Sequence, residues 1–204
     1  MKTGIVDYQA GNLRSVELAL KHLSIDYTVS DNPAVLKDAD RLIFPGVGEA
    51  RSAMEVLASS GLGDFIVDYV KNGRPLLGIC LGCQILMSLS EERDTRCLDV
   101  FQGKVKRFPA RRGYKVPHMG WNQVWHRNRH PVFKGIPDGA SFYFVHSYYL
   151  EVEKQEIEIA DTDYGIRFTS GIARDNVVAF QFHPEKSGEY GLQLLSNFFA
   201  LKDF

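Results

Sequence analysis

The chain has 204 residues, 45% of them hydrophobic, which suits one domain with a sizeable core. A formal net charge of −1 gives no electrostatic reason to bind nucleic acid or an anionic membrane, and no apolar run approaches the ~20 residues that span a bilayer. Three irregularly spaced cysteines exclude a disulfide framework, and the N-terminus M-K-T-G-I-V-D lacks a signal-peptide core, so the composition predicts a reduced, cytoplasmic protein.

Thr3 to Val6 predicts a first strand, followed by a turn over Asp7 to Gly11. Asn12 is a good N-cap for a helix in which Leu13, Val16, Leu20 and Leu23 recur at helical spacing. Ile25 to Val29 predicts a second strand, closed by the turn signal Ser30-Asp31-Asn32-Pro33. A short helix over Pro33 to Asp38 and a third strand over Arg41 to Phe44 follow, the strand running into Pro45-Gly46-Val47-Gly48. Residues 49–59 and 63–71 predict two helices separated by Gly61. Leu76 to Ile79 predicts a buried strand, Cys80 a sharp turn, and Gln84 to Leu89 a helix. This alternation predicts an α/β fold, a mostly parallel sheet flanked by helices on both faces.

Glu91 to Asp99 predicts a charged loop. Beyond it, β-branched and aromatic residues predict antiparallel or mixed strands at Val105–Phe108, Asn122–Trp125, Phe142–Val145, Glu156–Ala160, Ile166–Thr169 and Val177–Phe182. A last helix over Gly188 to Leu201 sets Tyr190, Leu194, Leu195 and Phe198 on one face. No linker or repeat divides the chain, so residues 1–204 are read as a single domain.

The chemistry centres on Gly78-Ile79-Cys80-Leu81-Gly82. Strand, nucleophile and helix in this order, with glycines two residues to either side, follow the logic of the G-x-S-x-G nucleophile elbow with sulfur in place of oxygen. The turn sets Cys80 at a helix N-terminus, whose positive dipole end favours the thiolate. A cysteine nucleophile needs a base. Of six histidines, His183 stands in Gln181-Phe182-His183-Pro184-Glu185-Lys186, where Pro184 favours an extended backbone at His183. Residues two apart then share a face, so Glu185 can orient the imidazole. Taken alone, His-x-Glu is a weak signal; paired with the elbow it points to a Cys80, His183, Glu185 triad.

The residue after the nucleophile, Leu81, offers a backbone N–H to a developing oxyanion. Val47 offers another at the carboxyl end of the third strand, where flanking glycines permit peptide rotation. From P-G-V-G alone, a plain strand-to-helix turn with no catalytic duty is the better explanation of the segment. Likewise Pro117-His118-Met119-Gly120-Trp121-Asn122 and Phe142-Tyr143-Phe144-Val145-His146-Ser147-Tyr148 read by composition as core strands with capped turns. Cys80-Leu81-Gly82-Cys83 is also a C-x-x-C; zinc would need a second ligand pair, and a redox reading leaves His183-Pro184-Glu185 unused.

Together, G-I-C-L-G-C-Q and H-P-E resemble the class I (triad) glutamine amidotransferases, which have a flavodoxin-like α/β fold and release ammonia from glutamine through a cysteinyl thioester. Asp7-Tyr8, Gly11-Asn12-Leu13-Arg14-Ser15-Val16, P-G-V-G, P-H-M-G-W-N and Y-F-V-H-S-Y are similar to the glutaminase subunits of imidazole glycerol phosphate synthase, of histidine biosynthesis. These matches run in order from residue 5 to residue 187. The resemblance implies that Gly48, Gln84 and Glu92 hold L-glutamine, Glu92 pairing with its α-ammonium, and that backbone at Ser147 and Tyr148 meets its α-carboxylate. It implies a heterodimer whose partner is a (β/α)8-barrel cyclase. Asn12, His118, Trp121, Asn122, Tyr143 and Lys186 would line the interface and ammonia passage. It implies no cofactor and no metal. The chain departs from the family at Cys83, at Gln9-Ala10 and over Asp94 to Asp99. A glutaminase serving another acceptor, a thiol oxidoreductase and a catalytically silent binding module remain as alternatives.

Overall fold

In the computed structural model, which describes residues 2–9 and 13–201, the first half alternates strand and helix. The elements are β1 (Thr3–Val6), α1 (Leu13–His22), β2 (Tyr27–Ser30), α2 (Pro33–Leu36), β3 (Arg41–Gly46), α3 (Ala50–Ser60), α4 (Leu62–Lys71), β4 (Leu76–Cys80) and α5 (Leu81–Ile85). The second half is almost all strand: β5 (Met87–Ser90), β6 (Thr95–Arg96), β7 (Phe101–Arg107), β8 (His118–His126), β9 (Ala140–His146), β10 (Tyr148–Val152), β11 (Glu158–Asp163), β12 (Arg167–Arg174) and β13 (Val177–Phe180). Helix α6 (Gly188–Ala200) follows β13.

The parallel part of the sheet runs β2-β1-β3-β4-β13, and β12 joins it antiparallel to β13. From β12 the ladder branches, one arm continuing through β10, β7, β5 and β6 and the other through β11, β8 and β9. Strand alternation divides the core between the two faces. Ile43 turns toward α1 and α6, packing with Val16, Leu20, Leu194 and Phe198. Its neighbours Leu42 and Phe44 turn the other way, toward Leu57, Leu62 and Ile66 of α3 and α4. The elbow sits at the carboxyl end of β4, where Cys80 pairs in register with Gly46 of β3.

Three expectations need correction. The helix expected from Gln84 to Leu89 ends at Ile85, and Met87–Ser90 is a strand. Here the carbonyls of Ile85, Leu86 and Met87 accept N–H groups from Leu98, Phe101 and Asp99, so long-range partners replace the next helical turn. The loop at 91–99 contains β6, which pairs antiparallel with β5. Tyr190 is 40% exposed, because the first three residues of α6 stand clear of the core that buries Leu194, Leu195 and Phe198. Asn12 lies outside the described residues.

Close packing at the elbow depends on its glycines. A Cβ on Gly82 would overlap the Phe44 carbonyl oxygen, and one on Gly78 would come within 2.9 Å of both Ala179 and Leu86 side chains. A methyl group at Gly82 must therefore push α5 off β3. Gly82→Ala is expected to cost at least ~1–3 kcal/mol of stability in urea denaturation, and an unchanged midpoint would contradict the close approach.

Candidate active site

Cys80 takes φ 54°, ψ −108°, a left-handed backbone that a side chain rarely adopts and that the packed glycines hold in place. Its sulfur lies 3.9 Å from the Val145 carbonyl and 3.8 Å from Nε2 of Gln181. His183 follows β13 and is fixed through its backbone. Its N–H donates to the Tyr143 carbonyl at 2.9 Å, and its carbonyl accepts from the Ser187 hydroxyl at 2.6 Å. Its ring Nδ1 is 2.8 Å from Glu185 Oε1, with both side chains 2% exposed. That contact assigns the hydrogen to Nδ1, donating to the carboxylate. Nε2 of His183 is buried and has no hydrogen-bond partner among the described residues.

Burial pushes the His183 pKa down, but Cys80 and Glu185 together more than reverse this and hold it at about 10. The Cys80 sulfur, the His183 imidazole and the Glu185 carboxylate are therefore coupled through charge. Cys83, fully buried, has its thiol pushed well up by burial and then by Cys80. All three cysteines are free, and a sealed thiol behind the elbow does not suit an exchanging pair.

Beside Cys80 opens a cleft of about 310 Å³, within the ordinary range for a small-molecule site. Val47, Gly48, Leu81, Gln84, Glu92, Ser147 and Tyr148, all singled out from the sequence, line it together with Cys80. Gly48 adopts φ +107° at the end of the P-G-V-G turn. Glu92 reaches back to the start of α3, accepting the Ala50 N–H at 2.7 Å; burial raises its pKa, and that N–H offsets only part of the rise. Gln84 donates from Nε2 to the Tyr148 carbonyl (3.0 Å) and to Gln181 Oε1 (2.9 Å), leaving its own oxygen as the atom it can offer to a ligand.

Trp121 is 59% exposed, and its ring meets Tyr143 edge-on at 6.2 Å, with the Lys186 ammonium 6.0 Å from the same tyrosine. His118 lies behind this face, buried at 2% exposure, with Asn122 beside it. Two polar residues with a hand in the site, Gln181 and His146, had no role in the sequence reading. Gln181 carried a usable signal, because it stands two residues before His183 and extended backbone sends both to one side.

The sequence matches the family model described as glutamine amidotransferase class-I over residues 4–201. A chain from Dehalococcoides mccartyi (strain CBDB1), described as imidazole glycerol phosphate synthase subunit HisH, is 46% identical, the match covering 97% of this chain and 96% of that one. Chains of the same description from Chloroflexus aurantiacus and Methanosarcina acetivorans are each 47% identical, covering 95% of this chain and 93% and 96% of theirs. Among solved structures, a putative GMP synthase component from Thermoplasma acidophilum superposes with a TM-score of 0.74 at 21% identity, covering 98% of this chain and 92% of that one, which supports the fold. The chain belongs to the class-I glutamine amidotransferase family, and within it to the family of HisH subunits.

The Glu185 charge adds to its hydrogen bond and to the larger influence of Cys80 in raising the His183 pKa. Glu185→Gln keeps an acceptor for Nδ1–H and removes that charge, so the pKa of His183 is expected to fall. Ring-proton NMR titration of both proteins measures it, and an unshifted value would reject Glu185 as the partner.

Proposed function

We propose that this chain is the glutaminase subunit of an imidazole glycerol phosphate synthase, releasing ammonia from L-glutamine for a cyclase subunit. The observation that carries the reading is the Cys80, His183 and Glu185 arrangement beside a lined cleft, in a chain 46% identical over nearly its whole length to a HisH subunit.

The Cys80 thiolate attacks the side-chain carboxamide carbon of glutamine. The new C–S bond drives the carbonyl electrons onto oxygen, which meets the backbone N–H groups of Leu81 and Val47. The intermediate collapses with cleavage of the C–N bond, and His183 Nε2–H protonates the departing nitrogen to give ammonia. The thioester is then attacked by water, whose proton passes to His183. Collapse of this second intermediate returns Cys80 and releases L-glutamate. Glu185 keeps the imidazole in the Nδ1–H orientation throughout. Gly48, Gln84 and Glu92 hold the amino-acid end, with Glu92 on the α-ammonium, and the Ser147–Tyr148 backbone meets the α-carboxylate.

The partner is a (β/α)8-barrel cyclase, joined in a heterodimer, which uses the ammonia to make imidazole glycerol phosphate and AICAR in the cytoplasm. It docks on the face where Met119 and Trp121 are 62% and 59% exposed beside Tyr143 and Lys186. An aromatic anchor with a neighbouring cation suits the centre of an interface. Tyr143, paired with Trp121 across β8 and β9, also carries the carbonyl that holds His183, so the docking face and the base share one support. Docking, together with the cyclase's nucleotide ligand, favours the Gly46–Val47 peptide orientation that turns the Val47 N–H to the oxyanion.

Glutamate production is expected to rise when the barrel cyclase and its ribonucleotide are added, and to vanish in Cys80→Ala; hydrolysis surviving in Cys80→Ala would sink the triad. Trp121→Ala is expected to weaken association about 30-fold, roughly 2 kcal/mol, in a calorimetric titration against the cyclase. Unchanged affinity would move the docking face elsewhere.

A further inference from the structure

Behind the docking face, two buried histidines and the half-buried Asn122 form a line with no part in the chemistry above. Asn122 Nδ2 lies 2.8 Å from the Asp163 carbonyl and 3.2 Å from Nε2 of His118. His118 Nδ1 lies 2.8 Å from Nε2 of His146, and His146 Nδ1 lies 2.7 Å from the Tyr148 carbonyl.

The two ends fix the direction of every hydrogen bond. A backbone carbonyl only accepts, so Asn122 presents its NH2 group to Asp163, while its Oδ1 takes the Gln123 N–H at 2.8 Å. The second amide hydrogen then goes to His118 Nε2, which must be the bare nitrogen. His118 carries its hydrogen on Nδ1 and gives it to His146 Nε2. His146 in turn carries its hydrogen on Nδ1 and gives it to the Tyr148 carbonyl. A second proton on either ring would set two donors against each other. Burial acts the same way, holding the pKa of His118 at about 4 and that of His146 at about 3, where the Tyr148 carbonyl works against it and His118 and His183 work with it. Aromatic packing fixes the rings. His118 is stacked against Phe144 at 4.8 Å and Tyr164 at 4.0 Å, and His146 packs on Phe108 at 5.2 Å.

The line ends where the ligand cleft begins. The Tyr148 carbonyl takes Gln84 Nε2 as its second donor at 3.0 Å, and His146, Ser147, Tyr148 and Gln84 all line the cleft. With both lone pairs engaged, that carbonyl has one orientation. From this geometry we infer that Asn122, His118 and His146 are positioning residues for the ligand, a neutral one-way hydrogen-bond line that fixes the Tyr148 carbonyl and with it Gln84. The identity of the ligand as glutamine rests on the function proposed above.

The test uses the complex with the barrel cyclase. His118→Phe keeps a flat ring between Phe144 and Tyr164 and removes both nitrogens. The KM for glutamine is expected to rise about five- to tenfold, while kcat stays within about twofold, the signature of lost binding and not lost chemistry. His118→Gln, with one acceptor and one donor, is expected to restore most of the KM. In ¹⁵N-histidine NMR, both rings of the wild-type chain are expected as Nδ1–H tautomers. An Nε2–H tautomer at either ring, an unchanged KM in His118→Phe, or a failure of His118→Gln to improve on His118→Phe would overturn the inference. If the wild-type complex releases no glutamate, the proposed function fails, and the tautomers still decide whether the line exists.

Discussion

Helix α5 lies so close to β3 that Gly82 has no room for a methyl group against the Phe44 carbonyl. This approach sets the height of the elbow and so the place of the Cys80 sulfur. A cysteine at φ 54° costs roughly 1 kcal/mol or more, and only surroundings that over-determine the turn keep it there. The in-register pairing of Gly46 with Cys80 supplies one restraint and the pressed helix supplies the other. Because β3 also leads into the P-G-V-G turn, the same contact registers Cys80 against Val47 and Gly48, which line the cleft with it.

Three buried histidines stand around this elbow, and burial alone treats them alike by disfavouring the charged ring. Their partners separate them. His183 faces a sulfur and a carboxylate, which lift its pKa to about 10; His118 and His146 face an amide, each other and a carbonyl, and stay at about 4 and about 3. One residue type is therefore held ready to carry charge in one place and neutral in another. What decides is whether the nearest acceptor carries a full charge.

The parts of the site legible in the sequence were those built from residues close in the chain. The elbow needs five consecutive residues, and the His183–Glu185 contact needs an extended tripeptide, so both follow from local geometry. The parallel sheet was readable for the same reason, since each β-strand and helix repeats within about 30 residues. Contacts made across the chain were not. The helix expected after Cys80 stops at Ile85 because its carbonyls find partners 12 to 15 residues later, at Leu98, Asp99 and Phe101. His146 meets His118 only because β8 and β9 pair in a register that sets them opposite each other. Strand β10 has no counterpart in the sequence reading, for Tyr148 closes the aromatic run before it. No local period encodes such pairings.

The burial of the other two thiols leaves a practical asymmetry. Cys83 is sealed with its thiol pushed far up, and Cys97, half-buried near Glu92, is pushed up to about 12. Neither supplies a thiolate at neutral pH, whereas Cys80 opens onto the cleft. An electrophile shaped like glutamine therefore meets one reactive sulfur per chain, so the mass of the intact adduct counts working elbows and not total protein. A preparation in which some chains have lost the turn at Cys80 would label in proportion to the remainder, whereas a second adduct on a folded chain would contradict the burial of Cys83 and Cys97.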